Sequence, residues 1–302
     1  MESPITKSAL NVSIDETLDV KKIIEVYSRD YNIDVSRFFN SESIDVYQCE
    51  DTGLRFFHPR SLAGDEQFYI DLFEGQKVDY YSKWKWENDV AVEYISKDAK
   101  VLDVGCGAGR FLDELKKRGI FCEGIEFNDS AIRECKRKLH SVTKTNIESM
   151  KISHADFYDV VCSFQVLEHI GEVHSFISAQ LTVTRPGGLM IFGVPHNNPY
   201  LYKNDKYHTL NLPPHHMGLW SKEAFSSLEK NFNVELINIH IEPQDNLRYW
   251  FEVQLKSLYP NRIDAVEKVL GHFLVRAVIR VLRRPLSNIV EGRNMVAVFK
   301  KM

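Results

Sequence analysis

The sequence predicts a doubly wound α/β fold, and three observations carry that prediction. Short apolar runs alternate with helix-spaced segments from residue 98 to residue 194. Three glycines, Gly105, Gly107 and Gly109, fall directly between the first such run and the first such helix. The 302 residues, 44 % of them hydrophobic, are enough for a sizeable core with additions to it.

Taken in order, residues 1–45 are polar and carry one amphipathic helix signal through Leu18, Ile23, Ile24 and Tyr27. Tyr47 to Trp86 is rich in aromatics (Phe56, Phe57, Phe68, Tyr69, Phe73, Tyr80, Tyr81, Trp84) and reads as a cap that packs on something larger. Val101, Leu102 and Val104 form the first core strand, and Phe111, Leu112 and Leu115 the apolar face of the helix after the glycines. The alternation continues with a strand over 121–125, a helix over 130–139, a strand over 157–164, a helix over 174–181 and a strand over 189–194. That pattern implies parallel strands with right-handed crossovers and helices on both faces. Pro186, Gly187 and Gly188 form the turn that starts the 189–194 strand.

Ser221, with Glu223 nearby, is a helix-cap signal, followed by a strand around 234–239 and a largely helical stretch over 241–290. The closing Met295 to Phe299 reads as a strand returning to an edge of the sheet. The organisation expected is a cap over 1–85, a core over 86–240, a helical insertion over 241–294 and the returning edge strand over 295–302.

Composition excludes several classes of function. With 38 Lys and Arg against 42 Asp and Glu, the formal net charge is −4, which argues against a nucleic-acid binder. There is no signal-like start and no apolar run of membrane-spanning length, so a soluble, cytoplasmic protein is expected. The five cysteines contain no C-x-x-C pair, so neither disulfides nor a structural zinc is expected, and no metal site is predicted.

The glycine cluster follows a strand and opens a helix, the position where ligands collect in a doubly wound sheet. The spacing does not match a dinucleotide fingerprint, since Ala108 and Arg110 displace the third glycine, and no Gly-Lys-Ser/Thr phosphate loop is present. Instead the loop carries an acid, Asp103, suited to an ammonium or sulfonium ligand. A second acid, Glu126, ends the next strand, where a carboxylate can accept hydrogen bonds from ribose hydroxyls.

Together with Phe157 to Ser163, Val166-Leu167-Glu168-His169-Ile170 and Arg185-Pro186-Gly187-Gly188-Leu189, these residues resemble the signatures of the class I S-adenosylmethionine-dependent methyltransferases over about residues 95–198. The resemblance implies a Rossmann-like, mostly parallel sheet of seven strands and S-adenosyl-L-methionine as cofactor. It implies cofactor binding by Asp103, Gly105, Cys106, Gly107, Gly109, Glu126 and Phe127, with Gln165 and Leu167 flanking the fourth strand. The adenine-side loop is expected within 147–154, where Met150 is either an adenine contact or core packing.

Methyl transfer to a hydroxyl requires a base, and histidine is the natural candidate. His196, His208, His215 and His216 follow the fifth strand, and Pro213 and Pro214 stiffen the approach to the last two. His215 and His216 are the candidate bases and His169 is the rival. The 212–220 segment and the aromatic lead-in resemble methyltransferases of polysaccharide and lipopolysaccharide gene clusters, although the lead-in has Thr52 where their zinc-ligating cysteines often fall. The implied acceptor is a saccharide or glycan hydroxyl. A quinone-type hydroxyl and a non-catalytic scaffold are the alternatives. Over 266–284, Arg276, Arg280, Arg283 and Arg284 oppose Phe273, Leu274, Val278 and Leu282, a pattern compatible with weak contact to anionic lipid or with a homodimer.

Overall fold

A computed structural model describes residues 1–75, 84–197, 204–244, 246–287 and 289–302 of the chain. Of the aromatic lead-in, Tyr80 and Tyr81 lie outside the described residues, as do the side chains of Phe73, Arg283 and Arg284.

The chain opens with β1 (Val12–Asp19) and α1 (Val20–Tyr31), then β2 (Ser43–Cys49), β3 (Arg55–Phe57), α2 (Glu66–Gly75) and α3 (Trp86–Glu93). Asp19 caps α1 by accepting the Lys21 amide, and Asn32 ends it in the left-handed region. The amphipathic signal of the N-terminal segment is therefore this helix, which buries Ile23, Val26 and Tyr27.

The core then runs β4 (Lys100–Val104), α4 (Arg110–Lys117), β5 (Phe121–Ile125), α5 (Asp129–Arg137), β6 (Val142–Thr143), α6 (Ile147–Met150), β7 (Tyr158–Phe164), α7 (Val173–Val183) and β8 (Thr184–Pro195). After it come β9 (Gly218–Leu219), α8 (Lys222–Ser226), α9 (Leu228–Asn231) and β10 (Val234–Pro243). Three further helices follow, α10 (Leu247–Leu258), α11 (Ile263–Gly271) and α12 (Phe273–Ser287), and β11 (Glu291–Lys301) closes the chain.

Seven strands form the main sheet in the order β10-β11-β8-β7-β4-β5-β6. The pairs β4/β5, β4/β7, β5/β6 and β7/β8 are parallel, whereas β11 is antiparallel to both of its neighbours. This is the doubly wound, mostly parallel seven-stranded sheet that the sequence predicts. Opposite faces of the sheet are covered by two hydrophobic clusters, one built on Leu102, Val161, Phe192 and Trp220, the other on Val101, Phe111, Val160 and Ile191.

Three expectations are corrected. The closing strand begins at Glu291 and lies between β10 and β8, so β10 and not the chain's end holds that edge of the sheet. Met295 through Phe299 are all buried, and a strand buried on both faces is an internal strand. The N-terminal cap is not a continuous 1–85 segment, because its four-stranded antiparallel sheet, β1-β2-β3-β9, takes its last strand from Gly218–Leu219. Finally, the Pro186-Gly187-Gly188 turn does not precede β8. It is an outward bulge inside that strand: Thr184 pairs with Tyr158 and the next pair is Leu189 with Val160, while Gly187 takes φ +72°.

Candidate functional site

β4 and β5 end side by side, with Asp103 opposite Gly124 and Val104 opposite Ile125. The chain leaving β4 is fastened to that neighbour at once: the amides of Gly105 and Cys106 both donate to the Ile125 carbonyl, at 2.8 and 3.1 Å. Gly105, Gly107 and Gly109 all have positive φ, and Gly109 stands at the N-cap of α4. A β carbon on Gly105 would lie 2.5 Å from Val166 Cγ2, so the loop passes too close to the end of β7 for any side chain there.

Glu126 completes the loop. Its Oε2 accepts the Gly107 amide at 2.9 Å, and Oε1 accepts the amides of Phe127 and Asn128 at 2.7 and 2.9 Å. Three of its roughly four acceptor positions thus preset the backbone on both sides of the cleft. Phe127 projects beside it with 61 % of its surface exposed. Asn128 then caps α5 through the amides of Ser130 and Ala131.

Asp103 is only 2 % exposed, and its carboxyl makes no hydrogen bond among the described residues. Burial, and secondarily the charge of Glu126, pushes its pKa up to about 7. A buried acid without a donor is matched by a cation, so the residues present suit a positively charged, phosphate-free adenosyl ligand. Cys106 is buried beneath the loop, and the Cys135 thiol donates to the Gly107 carbonyl at 3.2 Å.

The model for the methyltransferase domain matches residues 80–239, more than half of the chain. The chain belongs to the class I S-adenosylmethionine-dependent methyltransferase family. Among curated relatives of this methyltransferase domain is a ubiquinone biosynthesis O-methyltransferase of Saccharophagus degradans. It is 32 % identical over 128 residues, which cover 38 % of this chain and 53 % of that protein. The protein of the same description from Acinetobacter baumannii is 31 % identical over 160 residues, 45 % of this chain and 68 % of that one. The chain thus spans about half the length of the first of these relatives. A solved S-adenosylmethionine-dependent methyltransferase from Archaeoglobus fulgidus shares the fold, at TM-score 0.50 and 18 % identity over 78 % of this chain and all of that one.

The flanking residues divide. Gln165 follows β7 with φ +57°, its amide bonded to the Gly193 carbonyl and its side chain donating to Glu87 at 2.7 Å. A non-glycine residue held there marks a backbone fixed from several sides at the mouth of the cleft. The Leu167 side chain is fully buried in the core and offers a ligand nothing but its backbone. Met150 is likewise a core residue, on α6 and 8 % exposed.

The histidines separate more sharply. His196 pairs with Glu291 at 2.9 Å, and His208 lies against Asp205 and Arg293, so both serve the packing around β11. His169, His215 and His216 come together. His169 ends the 3-10 turn Leu167–His169 after β7. The other two follow Pro213-Pro214 in a turn whose amides bond to the Leu212 carbonyl. The Met217 amide donates to the Glu168 carbonyl at 2.8 Å and draws the two segments into contact.

Within the cluster the His215 and His216 rings stack at 4.6 Å, and His169 stands edge-on to them at 4.6 and 4.9 Å. His169 Nδ1 donates to the His215 carbonyl at 2.6 Å, which leaves Nε2 as its lone-pair nitrogen. Burial lowers the His169 pKa to about 4 and that of His216 well below its ordinary value, so both rings are neutral at pH 7. His215 and His216 are buried, and His169, with 19 % of its side chain exposed, is the most open of the three. Two neighbours were not singled out by sequence reasoning as part of this site: Asn211, 3.4 Å from His216 Nδ1, and Tyr69, whose hydroxyl lies 3.4 Å from His169 Nδ1. The aromatic lead-in was the only signal for Tyr69.

A separate cavity of about 620 Å³ is lined by Pro4, Phe57, His58, Arg60, Ile170 and Gly171 among others. None of the glycine-loop residues borders it.

Proposed function

We propose that this chain methylates a hydroxyl of a small-molecule acceptor. The observation that carries the reading is the glycine loop with its two acids, a buried Asp103 with no hydrogen-bond donor among the described residues and a Glu126 fastened across the loop. When bound, S-adenosyl-L-methionine supplies a methyl carbon activated by its sulfonium. Asp103 balances the positive charge at the methionine end. The remaining acceptor position of Glu126 takes a ribose hydroxyl, Phe127 covers an apolar face, and the backbone of Gly105, Gly107 and Gly109, with the Cys106 side chain turned into the interior, admits the ligand without side-chain interference.

In an in-line displacement the protein chiefly aligns the acceptor and removes its proton. The His169, His215 and His216 cluster is assigned to that acceptor side, with His169 Nε2 oriented by the bond from Nδ1 to the His215 carbonyl.

For the acceptor, a quinone-type or other apolar hydroxyl is favoured. Two observations support it: the relatives are O-methyltransferases described by ubiquinone biosynthesis, and α12 exposes Phe273, Leu274, Val278 and Val281 on a helix that also carries Arg276 and Arg280. Such a helix suits weak attachment to an anionic membrane in which an apolar acceptor dissolves. A saccharide hydroxyl is the second reading, supported by the 212–220 segment and the aromatic lead-in. The test is an assay with methyl-labelled S-adenosylmethionine against two fractions, membrane lipids and soluble nucleotide sugars. Label in an extractable apolar product is expected; label confined to the sugar fraction selects the second reading, and label in neither overturns both.

A further inference from the structure

The imidazole cluster has a second property, which appears when its nitrogens are considered as ligands. One ring nitrogen from each of His169, His215 and His216 lies within 4.8 Å of the other two. Two of the rings have an oxygen against Nδ1: the His215 carbonyl at His169, 2.6 Å away, and Asn211 Oδ1 at His216, 3.4 Å away. A metal-ligating histidine is held in the same manner, one nitrogen donating to an oxygen so that the other presents its lone pair.

An independent feature adjoins the cluster. Glu168 is fully buried, and neither carboxylate oxygen has a hydrogen-bond partner among the described residues. Its Oε1 lies 3.8 Å from His169 Nε2. A buried carboxylate with no hydrogen-bond partner among the described residues beside three converging imidazole rings is an arrangement that one cation between them would satisfy. Imidazole nitrogen selects the zinc, cobalt, nickel and copper group over magnesium or calcium, which take oxygen ligands. Zinc-to-nitrogen bonds of about 2.0–2.1 Å require the three nitrogens, now within 4.8 Å of one another, to draw closer on binding.

We propose that His169, His215 and His216 form a site for one divalent transition metal of the zinc class, with the buried Glu168 carboxylate as its neighbouring counter-charge. The site stands on the geometry of the cluster. Only its consequence, that the metal and not a free imidazole activates the acceptor hydroxyl, rests on the methyl-transfer reading above.

The test uses the untagged full-length chain, stripped by chelator and then titrated with cobalt(II) and with zinc(II). One equivalent of cobalt per chain with the visible absorption bands of a four- or five-coordinate nitrogen site is expected, displaced by one equivalent of zinc. His169→Asn and His216→Asn should each lower the affinity at least 100-fold, and Glu168→Gln about tenfold, in proteins whose circular dichroism is unchanged. Wild-type protein that gives no such bands, or a folded His169→Asn/His216→Asn double variant that still binds one equivalent, overturns the proposal. The wild-type spectrum needs no variant and decides the matter even where the substitutions impair folding. Calorimetry with S-adenosylmethionine on the stripped protein separates the two readings, since retained cofactor binding leaves methyl transfer standing when the metal site fails.

Discussion

The carboxylate of Glu126 accepts the backbone amide of Gly107 at 2.9 Å, which binds the acid at the end of the second core strand to the middle of the glycine loop. The same side chain assigned to the ribose therefore also fixes the loop. Glu126→Ala should weaken S-adenosylmethionine binding by about 10- to 100-fold, the loss expected for one or two hydrogen bonds to a charged acceptor. It should also lower the melting temperature of the cofactor-free protein. Glu126→Gln keeps an acceptor oxygen and should fall between. Calorimetry and thermal melts on the three proteins check both effects together.

Gly105 is restricted twice, by φ +77° and by Val166 Cγ2 standing 2.5 Å from where a β carbon would be. Gly105→Ala should therefore cost about 1–3 kcal/mol of stability and most of the cofactor affinity. Adding Val166→Ala removes the collision but not the backbone strain, so the double variant should regain only part of the lost stability. Chemical denaturation of the single and double variants measures the division.

Asp103 gives a pH dependence whose sign is fixed by its environment. Its folded pKa is raised from 3.8 to about 7, so the folded chain keeps a proton that the unfolded chain releases. The stability of the cofactor-free protein should accordingly decline as pH rises from about 4 to 7, and Asp103→Asn should stabilise it at pH 8 by a few kcal/mol, at 1.36 kcal/mol for each pKa unit. At pH 4 the two proteins should differ little. Cofactor affinity should move the other way in the wild type, falling as pH drops below 7, and be weak at every pH in Asp103→Asn. Denaturation and binding curves at pH 4, 6 and 8 test both signs.

On α12, Phe273 is 71 % and Val281 76 % exposed. Wild-type protein should co-sediment with vesicles of anionic lipid at low salt and be released at high salt, because charge attraction adds to the burial of apolar side chains. Phe273→Glu/Val281→Glu should remove the binding. Failure of the wild type to sediment at low salt would contradict the assignment of this face.

What could be read from the sequence follows physical range. The glycine loop and its two acids were legible because strand, turn and helix signals there are local and Asp103 and Glu126 each end a short apolar run. β1 was missed because Val12–Asp19 leaves most of its residues exposed or half-exposed, so no apolar alternation marks it. The interior place of β11 was misread as an edge, although Met295 to Phe299 is a continuous buried run of the kind an internal strand requires. The histidine cluster depends on residues 169 and 215–216 meeting through the Met217 to Glu168 backbone bond, and no local pattern announces that meeting. Glu168 was visible only as a neighbour of His169, since its lack of donors is a property of the folded interior.

The most direct test is titration calorimetry of the purified chain with S-adenosylmethionine at pH 8, beside Asp103→Asn and Glu126→Ala. The account predicts one molecule bound per chain, with a dissociation constant on the order of micromolar, and a clear loss in each variant. No binding by the wild type, or undiminished binding by either folded variant, would contradict it.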